Sequence, residues 1–359
     1  MKKLAAAAAV CAAGLVLRLC ARLLDGFSDY YAVTMNAFWV NTLGRLSGLF
    51  PFSLAEMLIY FLAALFIFRI VCLLVKAAGK KPGVKKHFLD GLFTILLLAA
   101  IVFFLFEANE DVYFYRTTFA ERYGYGTGSY STAELEQVCT YLMKEANKSA
   151  GSVERDPNGI MKDFAGVGER VRKAMMNLGK TYPELSGWYP EAKGLMASFA
   201  MSGTGMAGIY SAYTIEANYN RDMPEYNIAF TMSHELSHLK GVLPENEANF
   251  IAYLNCMESS DSDIRYSGVL TGWIYCGNEL LKRDRTAWEG IASQMKTDIN
   301  ADLNYNTEFW NSYKGTVQEA AQNFNDSYLK GEGQDEGVLS YDRVVDLIVS
   351  YEMQKMPTV

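Results

Sequence analysis

His234-Glu235-Leu236-Ser237-His238 is the stretch from which the rest of the chain is read, because histidines four residues apart on a helix share one face, one turn apart. The 359 residues hold only three histidines, and two of them lie here. The chemistry needs these residue types at this spacing. Neutral imidazole nitrogens bind zinc at about 2.0–2.1 Å, a third protein ligand completes the cage, and a water in the fourth position becomes acidic near neutral pH. Glu235 follows the first histidine, where a carboxylate can take a proton from that water and pass it to a leaving amine. Imidazole ligands make Zn2+ the expected ion.

Candidates for the third ligand follow at once in Gly241-Val242-Leu243-Pro244-Glu245-Asn246-Glu247-Ala248-Asn249. Gly241 suits a helix C-terminus and Pro244 the first turn of the next helix, so the segment reads as a tight helical hairpin. With the turn centred between Gly241 and Val242, His238 lies opposite Glu245 and His234 opposite Asn249. Glu245 is therefore the expected third ligand, with Asn249 one turn on as hydrogen-bond partner of His234. Glu247 is the alternative ligand. It sits roughly 200° round the helix from Glu245 and shares a side with Phe250, Ile251 and Leu254, so only one of the two carboxylates can face the metal.

This order of motifs resembles the gluzincin metallopeptidases, in which a glutamate after the His-Glu-x-x-His helix binds zinc and the residue four beyond it orients a ligand histidine. The spacing departs from that pattern, since here a single turn separates the two motifs. Gly241 falls at the metzincin glycine position, and Pro244 occupies the metzincin third-ligand slot, which proline cannot fill. Over nearly its whole length the chain also resembles a bacterial membrane family catalogued as domain of unknown function 3810. The shared order is hydrophobic N-terminal segments, Gly208-Ile209-Tyr210 leading to Thr214-Ile215-Glu216-Ala217-Asn218, then the histidine motif and Glu-x-Glu-Ala-Asn. That resemblance implies a zinc peptidase of the cell membrane. The tripeptide Glu-Ala-Asn is not itself diagnostic, because it begins at Glu107, Glu145, Glu216 and Glu247 alike.

Half of the residues are hydrophobic, and the excess lies before residue 108. Ser53 to Val75 and Leu89 to Phe106 are long enough to span a bilayer. Between them Lys76, Lys80, Lys81, Lys85 and Lys86 surround Pro82-Gly83, a basic loop that the positive-inside rule assigns to the cytoplasm. Leu4 to Leu17 reads as a retained membrane helix or a signal-peptide core, interrupted by Arg18 and Arg22. Under either reading everything after Phe106 lies outside. The aromatics of 25–52, among them Tyr30, Tyr31, Phe38 and Trp39, suit a stretch along the membrane surface or one packed on the outer domain.

Cys139, Cys256 and Cys276 fall outside the membrane segments without Cys-x-x-Cys spacing, so no zinc–thiolate site is indicated. The net charge of −7 argues against nucleic acid as a partner. Polar Thr231, Ser233, Ser237 and Lys240 argue against an intramembrane protease.

From about 110 onward the pattern is mainly helical. Ser131-Thr132-Ala133-Glu134 is a capping box ahead of the stripe Leu135, Val138 and Leu142. Val167 to Leu178 reads as a helix, Tyr182 to Gly194 as irregular, and Gly208 to Asn220 as a strand. That strand would pair with an extended substrate, with Glu216 and Asn218 near the metal. No histidine is left to stabilise an oxyanion, so tyrosine or arginine must serve. Asn325 to Tyr341 has loop character, and Tyr341 is the candidate there. The last helix would bury Val344, Val345, Leu347 and Ile348.

The expected architecture is mainly α with a small β element: transmembrane helices within 1–108, then an extracytoplasmic zincin-like metallopeptidase domain over 109–359. The expected function is that of a multi-pass protein of the bacterial cell membrane that hydrolyses peptides or proteins outside. A non-catalytic, zinc-stabilised sensor or binding domain is the alternative.

Overall fold

The computed structural model describes residues 2–79, 83–126, 128–162, 165–331 and 343–356. The fold is mainly helical with one three-stranded sheet. It divides into two units, Met1–Arg116 with Ser211–Glu216, and Thr117–Tyr210 with Ala217–Val359.

In the first unit three helices are long and apolar enough to cross a membrane: Lys2–Leu23, Leu54–Ala78 and Val84–Tyr115. The first runs unbroken through Arg18 and Arg22. It can do so because Arg18 meets Glu107 at 2.9 Å and Asp111 at 3.3 Å on the third helix, which neutralises the guanidinium. At the other end Lys3 meets Asp90 at 2.7 Å. Residue numbers rise together along the two helices, so they run parallel. Gly14 permits their close approach, since a Cβ there would lie 2.8 Å from the Phe103 ring. The second helix starts at Ser53, whose hydroxyl accepts the Glu56 N–H. Phe27 to Ser47, left open between two settings by its aromatics, is helical with two π-type stretches. Tyr31 ties it to the third long helix by donating to the Ala108 carbonyl at 3.0 Å.

In the second unit the helix Thr132–Ala150 opens with the Ser131–Glu134 capping box and buries Leu135, Val138 and Leu142. Three helices follow in succession near the centre: the motif helix Tyr226–Leu239, the ligand helix Glu245–Glu258 and the cross helix Ser262–Arg283. They pack closely. A Cβ at Gly268 of the cross helix would lie 2.2 Å from the Cys256 Cβ of the ligand helix. Val344, Val345, Leu347 and Ile348 of the final helix Val344–Lys355 are buried.

Two expectations are corrected here. Gly208–Asn220 is not one strand but two, β2 Gly208–Ser211 and β3 Glu216–Tyr219. The turn between them contains Ile215 at φ +53°, a left-handed conformation that a β-branched side chain rarely takes and that no glycine announced. β1, Lys193–Gly194, pairs parallel with β3, giving the order β1-β3-β2. Likewise Asn325–Gly331 is not loop but the last part of the helix Thr316–Gly331. Tyr341 lies outside the described residues.

Candidate metal centre

The motif helix is buried on almost every side, so its polar side chains need partners within the protein. Ser233 and Ser237 bond back to the carbonyls of Ala229 and Ser233, both at 2.8 Å. Asn255 on the ligand helix donates to Ser233 at 2.8 Å and locks the two helices together. Lys240 ends the helix with its ammonium buried, donating to the Ser186 and Trp188 carbonyls at 2.8 and 3.1 Å. Burial pushes its pKa down to about 8.

Gly241 then takes the left-handed conformation, φ +75°, and the chain reverses. The same reversal aims the Val242 carbonyl at His238 Nδ1, 2.8 Å away. A carbonyl only accepts, so Nδ1 carries the proton and the Nε2 lone pair is left facing inward. That lone pair lies 3.0 Å from His234 Nε2. Glu245, the first residue of the ligand helix, brings Oε2 to 3.1 Å from His234 Nε2 and 3.8 Å from His238 Nε2. Four ligands at about 2.0–2.1 Å around a tetrahedral ion stand roughly 3.3 Å apart. The three separations bracket that value, and these three residues form a group whose donor atoms could share one metal ion.

Burial is the largest influence on the protonation of these groups. Burial raises the Glu235 pKa to about 8, the Glu245 charge adding to it and His234 partly offsetting it. Burial and then His234 lower that of His238 to about 4. His234 is displaced upward, since hydrogen bonding and charge from Glu245 outweigh its burial. Asn249 is buried on the ligand helix, and its amide nitrogen and His234 Nδ1 are both without a hydrogen-bond partner among the described residues.

The family described as protein of unknown function DUF3810 matches residues 31–349. The chain belongs to this family. No curated protein and no solved structure matches it. The DUF3810 match therefore takes in the second and third long helices, the sheet and the whole donor set.

Glu247, Glu216 and Asn218 are the other residues anticipated at the site. Glu247 turns away from the histidines, and its carboxylate accepts the Phe119 and Ala120 N–H groups, both at 2.8 Å, at the start of the helix Phe119–Tyr123. Glu216 has backbone amides as partners. It takes the Leu54 and Ala55 N–H groups at 3.0 and 2.9 Å, capping the second long helix. Asn218 is buried on β3, donating to the Ile209 carbonyl at 3.3 Å. Because β3 has a neighbour on each side, it has no free edge for a substrate; β1 and β2 are the edge strands.

Sequence reading missed Gly208. A Cβ there would fall 2.3 Å from Glu235 Oε1, so glycine is required for β2 to pass the carboxylate. Tyr210, two residues on, places its ring 6.4 Å from that of His238, centroid to centroid. The period of two along the strand was the available signal, hidden because Gly208 has no side chain to count.

Proposed function

We propose that this DUF3810 protein is a membrane-anchored zinc metallopeptidase that cleaves peptide bonds outside the cytoplasm. The observation that carries the reading is the convergence of His234, His238 and Glu245 donor atoms at 3.0–3.8 Å, with Glu235 beside them and outside the donor set. A site that only held the fold together would need no such carboxylate.

His234, His238 and Glu245 would hold the zinc, which when bound supplies Lewis acidity that sharpens a water as nucleophile and polarises the scissile carbonyl. The Val242 carbonyl orients the His238 imidazole, and Asn249 would orient that of His234. Glu235 takes a proton from the attacking water as its oxygen bonds to the carbonyl carbon. It returns that proton to the amide nitrogen as the C–N bond breaks, which regenerates the carboxylate. Gly208 brings the β2 backbone against Glu235, where an extended peptide laid along that edge would present its carbonyl to the site.

The full chain purified in detergent is expected to carry about one zinc and to cleave members of a broad peptide library. Chelation should abolish cleavage and added zinc restore it. A full zinc complement with no cleavage of any library member would replace this reading with that of a zinc-stabilised binding domain.

The basic loop supports one orientation. By the positive-inside rule the lysines between the second and third long helices would assign that loop to the cytoplasm, and the parallel first helix would carry the N-terminus to the same side. A reporter fused after Gly83 should read inside and one after Asn109 outside. Protease protection of the C-terminal part in right-side-out vesicles would contradict the placement.

A further inference from the structure

We infer that the lysine-rich end of the three long helices binds the phosphate groups of anionic glycerophospholipids; the inference needs the membrane-spanning reading of those helices but not the peptidase chemistry. Contacts gather one end of each helix. Lys3, at the start of the first helix, donates to Asp90 at 2.7 Å and to Thr94 at 2.9 Å on the third. Arg69 of the second helix approaches the other Asp90 oxygen to 3.8 Å. Lys76, in the last turn of the second helix, lies 3.3 Å from Nδ1 of His87, in the first turn of the third. The start of the first helix, the end of the second and the start of the third therefore lie together, and Lys2, Lys3, Lys76, Lys85 and Lys86 share that end.

The charge there is one-sided. Residues 2–5, 69–79 and 83–94 hold five lysines and Arg69 against one carboxylate, Asp90. Lys3 and Arg69 share that carboxylate, while Lys2, Lys85 and Lys86 stand exposed at the helix ends. A lysine at the end of an apolar span sits where hydrocarbon meets water, its methylene stem along the helix and its ammonium at the depth of lipid phosphates. Lysine suits this contact as a compact point charge with three donors, free of the fixed fork that arginine imposes. The flanking surface is apolar: Leu4, Leu74, Val75 and Phe88 are exposed on the same helices. A ligand with an anionic head and apolar tails matches both surfaces, whereas a free phosphate matches only the first.

The test immobilises the full chain in mixed micelles holding equal amounts of phosphatidylglycerol and phosphatidylcholine, then extracts and quantifies the retained lipid. The wild type should retain phosphatidylglycerol about 10-fold over phosphatidylcholine, and a wash in about 1 M salt should remove most of that preference. Lys2→Gln, Lys85→Gln and Lys86→Gln, which leave the Lys3–Asp90 pair intact, should each lower the preference, by up to about 5-fold per lysine. Lys148→Gln, Lys173→Gln and Lys314→Gln combined remove three charges from the second unit and should leave it unchanged. Equal retention of the two lipids by the wild type overturns the inference without recourse to any variant. So does a preference that survives the three helix-end substitutions together, or an equal loss from the second-unit set, which would mark an effect of net charge alone. Complete displacement of the lipid by millimolar inorganic phosphate would show a free-phosphate site and overturn it too. Peptide cleavage by the wild type is measured separately, so the peptidase reading stands or falls independently of these outcomes.

Discussion

Glu235→Gln is expected to cut peptide cleavage by about 10²–10⁴-fold while zinc content and thermal stability stay near wild type. Glutamine has the same size and a similar helix propensity, so the motif helix keeps its packing. It also fits against Gly208 as the glutamate does, because the side-chain heavy-atom skeleton is unchanged. What it loses is the acceptor for the water proton. Measured side by side, zinc content and kcat separate a base from a ligand: a ligand variant loses both, and a base variant loses only turnover. Cleavage by Glu235→Gln at the wild-type rate would remove the general-base role, and with it the main argument for an enzyme over a binding domain.

His234→Ala should lose the metal. With one imidazole gone, His238 and Glu245 remain, too few protein ligands to retain zinc tightly. An ion that binds only the native state at 1,000 times its Kd contributes about 4 kcal/mol, so the variant should also melt roughly 10 °C lower in the presence of zinc. Glu245→Gln should behave in the same direction. Glu247→Gln should keep its zinc and lose only about 1–3 kcal/mol of stability, from weaker pairing of the Phe119 and Ala120 amides. Zinc content unchanged in His234→Ala, or lost in Glu247→Gln but not Glu245→Gln, would overturn the donor set. These measurements call for the full chain, because Ser211–Glu216, which continues β2 into β3, belongs to the membrane unit. Glu216 caps Leu54 and Ala55 there, and a protein cut at Arg116 would lack both amides.

The four Glu-Ala-Asn tripeptides show how little an isolated short pattern conveys. Glu107 meets Arg18, Glu145 meets Arg265 at 2.7 Å, and Glu216 and Glu247 each cap a helix N-terminus. One sequence serves two kinds of pairing in four settings. The use of each carboxylate is decided by a residue 89 positions or more away in the chain for Glu107, Glu145, Glu216 and Glu247 alike.

Sequence alone determined what depends on neighbours within a turn or two. Two histidines four apart share a helix face wherever that helix lies, Ser131 and Glu134 cap the helix they begin, and an apolar run of about 20 residues is long enough to span a bilayer in any fold. The hairpin through Gly241 was legible for the same reason, since a left-handed residue after a helix reverses the chain locally. Tertiary structure alone decided where Glu247 and Glu216 went, and that β2 rather than β3 lies at a sheet edge. Each of these turns on long-range contact. Glu247 is drawn off by backbone amides more than a hundred residues earlier, Glu216 by the start of a membrane helix, and β3 is enclosed by β1 from a separate stretch of chain. A buried carboxylate goes where unsatisfied N–H groups or cations compensate its desolvation, and the chain reveals those partners only once it has folded.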